Sequence, residues 1–208
     1  MKPQRREGRG KAVWGARIRL ALALTCAVSV TSCSKMIRTG QSPNFLIMQS
    51  LQGAPGTSGS FGSILQSDVL NFNPATGVAS IASDQGQATL QLTSRDPLGP
   101  APSDINAITI SQYRVEYFRS DGRNIQGVDV PFAFDGAVTV TVREAASVPF
   151  TLVRVQAKQE APLAALAFSG GANTITTIAR VSFYGRDQNG REVSVTGNIE
   201  VNFSDWAG

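Results

Sequence analysis

The sequence contains no histidine, and it has only two cysteines and two tryptophans in 208 residues. Histidine is the usual general base and metal ligand near neutral pH, so its absence excludes Ser-His-Asp and Cys-His catalysis. Beyond Cys33 the chain has no further cysteine, no Ser-x-x-Lys or Gly-x-Ser-x-Gly motif and no Gly-rich loop ending in Gly-Lys-Ser/Thr. These absences remove the common routes to nucleophilic catalysis and to phosphate binding.

The first 32 residues have the composition of a bacterial secretory signal peptide. A basic segment precedes an apolar run from Leu20 to Val30, and this run is shorter than the roughly 20 residues that a membrane span requires. The basic residues are Lys2, Arg5, Arg6, Arg9, Lys11, Arg17 and Arg19. The segment therefore predicts export of the chain.

The end of this segment, Val30-Thr31-Ser32-Cys33, resembles the lipobox of bacterial lipoprotein precursors. The resemblance implies cleavage before Cys33 and a diacylglyceryl group on its thiol. The alternative is cleavage at an Ala-x-Ala-like site that leaves Cys33 as a free thiol. Cys26 lies inside the apolar run in a poorer box and is interpreted as a small apolar residue. Ser34 after the cysteine, by resemblance to enteric sorting, favours the outer membrane of the cell envelope.

Removal of the signal peptide changes the charge of the chain. The precursor carries a net charge of +4, whereas residues 33–208 hold 12 Lys plus Arg and 14 Asp plus Glu, which gives 12 − 14 = −2. The arginines of this part are dispersed among acidic residues, so no concentrated basic face is expected. Nucleic-acid binding is therefore not predicted, and no disulfide is possible within one lipidated chain.

The mature chain predicts a flexible lipidated tether over 33–43 and one domain over 44–208. Short segments of alternating apolar and polar residues, separated by turn signals, favour a single antiparallel β-sandwich. The Gly-rich stretch from Gly53 to Gly62 is expected to be a loop, and Ala161 to Phe168 is the one candidate helix. The predicted strands include Asn44 to Leu51, Val78 to Ala82, Ala88 to Leu92, Ile108 to Phe118, Val138 to Val142, Thr151 to Ala157, Ala179 to Phe183 and Val193 to Phe203.

Two segments of the chain echo each other. Arg114 to Phe118, followed by Asp121-Gly122, is similar to Arg180 to Tyr184, followed by Asn189-Gly190, and both segments predict hairpins with tight turns. Two similar hairpins in one sandwich are favoured over two duplicated modules, because the span is too short for two cores.

The alternating strands and the closing hairpin resemble immunoglobulin-like or fibronectin-like domains, without the Cys-Trp-Cys pattern of antibodies. The chain is also similar to uncharacterised lipoproteins of environmental bacteria. The second similarity lies in Tyr113-Arg114-Val115, Asp121-Gly122-Arg123-Asn124, Val128-Asp129-Val130-Pro131-Phe132 and Phe183-Tyr184-Gly185-Arg186-Asp187. It implies no activity.

Acidic residues are the candidates for catalysis or metal binding. Paired carboxylates would suit glycoside hydrolysis, and the candidates are Asp121, Asp129, Asp135, Asp187, Glu192 and Glu200. Acids beside Gly or Asn more often serve turns. The turn Asp187-Gln188-Asn189-Gly190 offers oxygen ligands for calcium but lacks a third spaced acid and a terminal glutamate. No cofactor or metal is therefore assigned.

Aromatic residues are the candidates for ligand stacking. In each neighbouring pair, alternation directs one ring into the core and the other outward, so one ring of each pair is available for a carbohydrate. The residues are Tyr113, Tyr117, Phe118, Phe183 and Tyr184, and Trp206 is expected to fix the C-terminus to the sandwich.

The function expected from the sequence is a membrane-anchored, non-catalytic binding or structural module of the cell envelope. Its expected partners are the lipid bilayer, through acylated Cys33, and an envelope protein or polysaccharide. The alternative is a histidine-free, carbohydrate-active hydrolase that uses two carboxylates.

Overall fold

The fold is given by a computed structural model that describes residues 41–56, 59–73, 75–98, 101–102 and 104–206. Cys33, Cys26, the signal peptide and the tether up to residue 40 lie outside the described residues. The strands are β1 (Asn44–Ala54), β2 (Ile64–Asp68), β3 (Asn71–Asn73), β4 (Val78–Ser80), β5 (Asp84–Ser94), β6 (Ile108–Phe118), β7 (Phe134–Val142), β8 (Ala145–Val153), β9 (Ile175–Asp187) and β10 (Glu192–Ser204). Among the described residues, one α-helix, α1 (Val155–Gln159), follows β8, and short 3₁₀ turns span Asp104–Asn106 and Leu163–Leu166.

The strands form two facing sheets and one small ribbon. The three-stranded sheet has the order β1-β5-β8, the five-stranded sheet has the order β2-β10-β9-β6-β7, and β3 pairs with β4. The prediction of an all-β sandwich is confirmed. Neighbouring strands are antiparallel except β2 and β10, which run parallel from Ile64 beside Glu200 to Asp68 beside Ser204.

Aromatic side chains join the two sheets in the core. Phe150 projects from the three-stranded sheet between Tyr113 and Phe183 of the five-stranded sheet, with ring centroids 5.4 and 5.3 Å away. All three rings are buried. Burial of each such side chain stabilises the fold by about 1.5–3 kcal/mol, so this cluster is a main contact between the layers.

The set of side chains with which β1 faces the core changes partway along the strand. Leu46 is buried, whereas Phe45 and Ile47 lie on the outer face of the sheet. An irregularity between Met48 and Ser50 then shifts the alternation, and Leu51 packs against the core. A bulge adds one residue to a strand and so reverses which residues face inward beyond it.

Three expectations for local structure are corrected by the structure. Ala161 to Phe168 contains only a 3₁₀ turn, and the α-helix lies at Val155–Gln159, where a strand was expected to continue to Ala157. The strand ends at Val153, and the helical turn carries Lys158 into the interior, where Asp84 binds it. The expected loop at Gly53 also begins later, because Gly53 still belongs to β1 and exchanges two backbone hydrogen bonds of 2.9 Å with Gly62.

The two echoing segments form different connections. β9 and β10 form the predicted hairpin, in which Oδ1 of Asp187 accepts the N–H groups of Asn189 and Arg191 and Gly190 has a φ of +79°. β6 and β7 are antiparallel neighbours, but residues 119–133 connect them. The Asp121-Gly122 turn lies inside this connection and does not join the strands directly, so the prediction of a second tight hairpin is wrong.

The compact unit of the described chain begins at Ser42. Ser42 is buried, and its carbonyl accepts a hydrogen bond of 2.9 Å from Nε of Arg95. In the part of the chain that the structure describes, no helix is long and apolar enough to cross a membrane.

Candidate binding surface

The outer face of the five-stranded sheet has a depression on each side of β6. The register of β6 shifts between Ile110 and Gln112 against both of its neighbours: Ser111 is an extra residue relative to β9, whereas relative to β7 the extra residue lies on β7. A depression of about 420 Å³ lies on the β9 side and another of about 340 Å³ lies on the β7 side, and both are lined by Ser111 and Gln112. The bulge thus lies between two shallow depressions, which together we call the transverse groove.

The floor of the transverse groove is one row of side chains on four strands. Ala137 on β7 lies beside Gln112 on β6, Gln112 lies beside Tyr184 on β9, and Tyr184 lies beside Ser194 on β10. Neighbouring strands are about 4.8 Å apart, so the row spans about 14 Å. Tyr184 is 40% exposed, which leaves part of its ring accessible.

In the row on one side of the floor, the polar side chains form hydrogen bonds with one another. Nη1 of Arg114 donates to Asp135 at 2.9 Å, and the hydroxyls of Ser182 and Thr196 are hydrogen-bonded at 2.8 Å. The hydrogen bonds that Arg114 donates to Glu116 first, and then to Asp135, raise the pKa of Arg114. Arg114 is therefore held as a fixed positive charge at the edge of the groove.

The row on the other side is also internally paired. The hydroxyls of Thr109 and Thr141 lie 3.1 Å apart, and Nη2 of Arg186 donates to Glu192 at 3.1 Å. By contrast, Gln112, Tyr184 and Ser194 form no side-chain hydrogen bonds within the described ranges. The polar groups of the floor are therefore available to a ligand, while those of both walls are occupied.

The acidic residues predicted from the sequence do not gather at one place. Asp121 pairs with Arg119 and Arg123, Asp129 accepts the N–H of Ile125, and Asp187 caps the β9–β10 turn. The hydrogen bond from Arg119 is the first cause that lowers the pKa of Asp121. Asp187 lies beside Ile108, whereas Asp121 follows Phe118 at the far end of β6, about 33 Å along the strand.

The remaining candidates, Glu200 and the two acids that border the groove, Asp135 and Glu192, do not lie close to one another either. Glu200 lies beside Ile178 on the outer face and accepts a hydrogen bond from Asn202. Asp135 on β7 and Glu192 on β10 stand on opposite walls, and their strands alone are three spacings, about 14 Å, apart. That separation exceeds the roughly 5–9.5 Å of glycosidase carboxylate pairs. Within the described residues, no group of three or more acidic or cysteine side chains is arranged to hold a metal ion.

The aromatic pairs follow the expected alternation. Tyr117 and Phe183 are buried, while Phe118 lies under Arg180, whose guanidinium carbon is 4.5 Å from the ring centroid, and Tyr184 faces outward. Tyr113 is also buried. The C-terminus is held differently from the expectation, because the backbone N–H of Trp206 binds Asp68 at 3.2 Å while its side chain is half exposed.

Sequence reasoning missed the polar lining of the groove and a buried charge pair. Ser111, Gln112, Arg186 and Ser194 carry no motif, because the bulge that groups them depends on strand pairing. Lys158 and Asp84 are both 1% exposed and form an ion pair of 2.9 Å in the interior. One signal was available for this pair, since Lys158 is the single lysine after residue 35.

Comparison with known proteins gives little. No protein-family model and no curated protein sequence matches the chain. Among solved structures, it is similar to the sporulation control protein Spo0M from Bacillus subtilis, with a TM-score of 0.28 and 14% sequence identity over 78% of this chain and 49% of that chain. The chain thus spans about half the length of that protein, and a likeness of this degree supports no inference about function.

Proposed function

We propose that the chain is the precursor of an exported bacterial lipoprotein that is acylated at Cys33 and binds a polysaccharide of the cell envelope through the transverse groove. The lipid tether places the sandwich at a membrane, which by the Ser34 resemblance is the outer membrane. The observation that carries the binding role is the exposed polar floor between two walls whose side chains are hydrogen-bonded to one another.

The groove has the chemistry that a sugar chain requires. A partly exposed tyrosine ring offers an apolar surface and a hydroxyl, and Gln112 and Ser194 offer hydrogen-bond donors and acceptors on either side of it. Arg114 and Arg186 stand at the walls, each neutralised by an acid. A hydroxyl-rich, largely uncharged ligand therefore fits the groove better than a strongly charged one.

Binding without catalysis is favoured over the alternative hydrolase. The two acids that border the groove are on opposite walls and on strands about 14 Å apart, and each is ion-paired with an arginine. General acid catalysis by glycosidases uses a carboxyl group whose partner carboxyl lies within about 9.5 Å. Neither Asp135 nor Glu192 is placed in this way.

The test is polysaccharide binding by the lipidated full-length protein purified in detergent. Two probes are used, peptidoglycan sacculi in a sedimentation assay and a soluble neutral β-glucan in affinity electrophoresis. We expect retention by at least one probe, and Tyr184→Ala should weaken it about two- to tenfold, as loss of one aromatic contact implies. Ile178→Ala is the matched control, because Ile178 is exposed on the same face of β9 but lies outside the groove.

The outcomes separate the two functions. Absence of binding to both probes, or equal binding by Tyr184→Ala and the wild type, would contradict the proposal. Release of reducing ends from either probe that is lost in Asp135→Asn or Glu192→Gln would instead support the hydrolase.

A further inference from the structure

The interior of the sandwich holds a lysine and an aspartate in direct contact. Nζ of Lys158 on α1 lies 2.9 Å from Oδ1 of Asp84 on β5, and both side chains are 1% exposed. Nζ also donates to the backbone carbonyl of Asp68 at 2.7 Å. The amine is therefore fixed beside one carboxylate and shielded from bulk water.

Further donors orient the carboxylate. Oγ of Ser67 donates to Oδ2 of Asp84 at 2.6 Å, while the N–H of Gly56 donates to Oδ1 at 3.0 Å. Ser67 is fully buried as well. Oδ1 thus faces the amine and Gly56, and Oδ2 faces the serine hydroxyl, so the two oxygens have different environments.

The choice of lysine at this position is distinctive. Residues 42–206 contain ten basic residues, of which nine are arginines and one is Lys158. Each of the nine arginines is at least partly exposed, whereas Lys158 is buried. An arginine keeps its proton under all ordinary conditions, while a lysine can lose it and become a nucleophile. Within residues 42–206, the one lysine thus lies with its amine against a buried carboxyl group.

We propose that Lys158 and Asp84 form an intramolecular amide (isopeptide) bond between Nζ and Cγ. In this buried site, a proton passes along the Nζ–Oδ1 hydrogen bond and leaves a neutral amine and a neutral carboxyl group. The amine attacks Cγ, the Nζ–Cγ bond forms and the Cγ–Oδ1 bond breaks. Oδ1 leaves as water with two protons, both from the original ammonium, so the reaction needs no further reactant.

Ser67 is the positioning residue of this reaction. Oδ2 becomes the carbonyl oxygen of the amide, and it carries negative charge in the tetrahedral intermediate. The Ser67 hydroxyl already donates to Oδ2 at 2.6 Å, and a preorganised donor at such an oxygen stabilises the intermediate. The product bond joins β5 to α1 across 74 positions of the chain, and a crosslink of that length restricts the unfolded chain.

The test uses the full-length lipoprotein recovered from membranes and digested with trypsin after denaturation. Cleavage at the flanking arginines gives a peptide 39–95 that contains Asp84 and a segment 155–180 that contains Lys158. The expected result is a single species in which the two are joined, with the mass of one water molecule missing and no cleavage at Lys158. An amine-reactive probe added to the denatured protein should not label Lys158.

Two variants complete the test. Lys158→Arg keeps the charge but should give separate peptides. Ser67→Ala keeps both reactants and should form the bond more slowly, as followed by the joined fraction over time after synthesis. Separate peptides and a fully reactive Lys158 amine in the wild-type protein would overturn the proposal, and this readout does not depend on the folding of any variant.

Discussion

Gly136 on β7 lies directly against the ring of Tyr113 on β6, so a Cβ atom at position 136 would overlap that ring. Tyr113 in turn packs against Phe134, Phe150 and Phe183, and its hydroxyl accepts the N–H of Thr151 at 3.3 Å. The missing side chain at position 136 therefore makes room for the ring that links the two sheets.

Gly136→Ala should destabilise the sandwich. The added methyl group displaces the Tyr113 ring from the aromatic cluster, and overpacking of this kind lowers the free energy of unfolding by about 1–3 kcal/mol. Urea denaturation followed by circular dichroism measures the change. Thr139→Ala, on the exposed side of the same strand, should change it by less than about 0.5 kcal/mol, and equal midpoints for the two variants would refute the packing argument.

Tyr117→Phe should also destabilise the protein. The buried hydroxyl of Tyr117 donates to the carbonyl of Leu152 at 2.6 Å, and burial, followed by the charge of Asp84, raises the pKa of Tyr117. Removing the donor leaves that carbonyl without this partner, which costs about 1–3 kcal/mol of unfolding free energy. Tyr184→Phe is the matched control, because the Tyr184 ring is exposed, and it should unfold like the wild type.

The alternation of apolar and polar residues along the chain predicts much of the fold, but it does not predict the transverse groove. The strand Ile108–Phe118 has the predicted boundaries, because its inward residues Tyr113, Val115 and Tyr117 recur every second position. The irregularities at Gln49 and Ser111 arise from pairing with strands far away in sequence, so nothing local marks them. The set of residues that lines the groove depends on the second of these irregularities.

The interior charge pair was beyond prediction for a similar reason. Lys158 and Asp84 are 74 positions apart, and a lysine after a run of alternating residues favours a solvated strand end. In the structure, β8 ends at Val153 and the chain continues as α1. The ammonium group of Lys158 on α1 donates hydrogen bonds to Asp84 and to the carbonyl of Asp68. The alternating pattern up to Ala157 therefore did not predict the buried ion pair between Lys158 and Asp84.

Cys33→Ser should abolish both lipidation and processing of the precursor. The lipobox resemblance makes the thiol of Cys33 the acyl acceptor, and cleavage before it follows acylation. Metabolic labelling with an acyl probe should mark the wild type and not the variant, which should keep its 32-residue signal segment. Cys26→Ser is the control and should be labelled normally, whereas label on Cys33→Ser would contradict the lipoprotein assignment. Membrane fractionation of the wild type tests the outer-membrane location.

Asp68→Asn should stabilise the protein at neutral pH and have no effect in acid. Burial is the first cause that raises the pKa of Asp68 above 3.8, and the charge of Asp205 adds to it, against opposing hydrogen bonds from the N–H groups of Leu70 and Trp206. The folded protein therefore holds this proton more tightly than the unfolded chain. Its contribution to stability is complete below about pH 3.8 and is lost as the pH rises through the folded-state value.

An asparagine at position 68 keeps an oxygen that can accept both N–H groups and carries no charge at any of these pH values. In thermal unfolding from about pH 3 to pH 8, the melting temperature of Asp68→Asn should equal that of the wild type at the acid end and exceed it at neutral pH. Asp121→Asn is the control, and its effect on the melting temperature at neutral pH should have the opposite sign. Because Arg119 lowers the pKa of Asp121, that carboxylate stabilises the fold at neutral pH and ceases to do so as the pH falls. A melting temperature of Asp68→Asn that is below the wild type at neutral pH, or a difference that is independent of pH, would show that the charge of Asp68 is not the unfavourable element at this site.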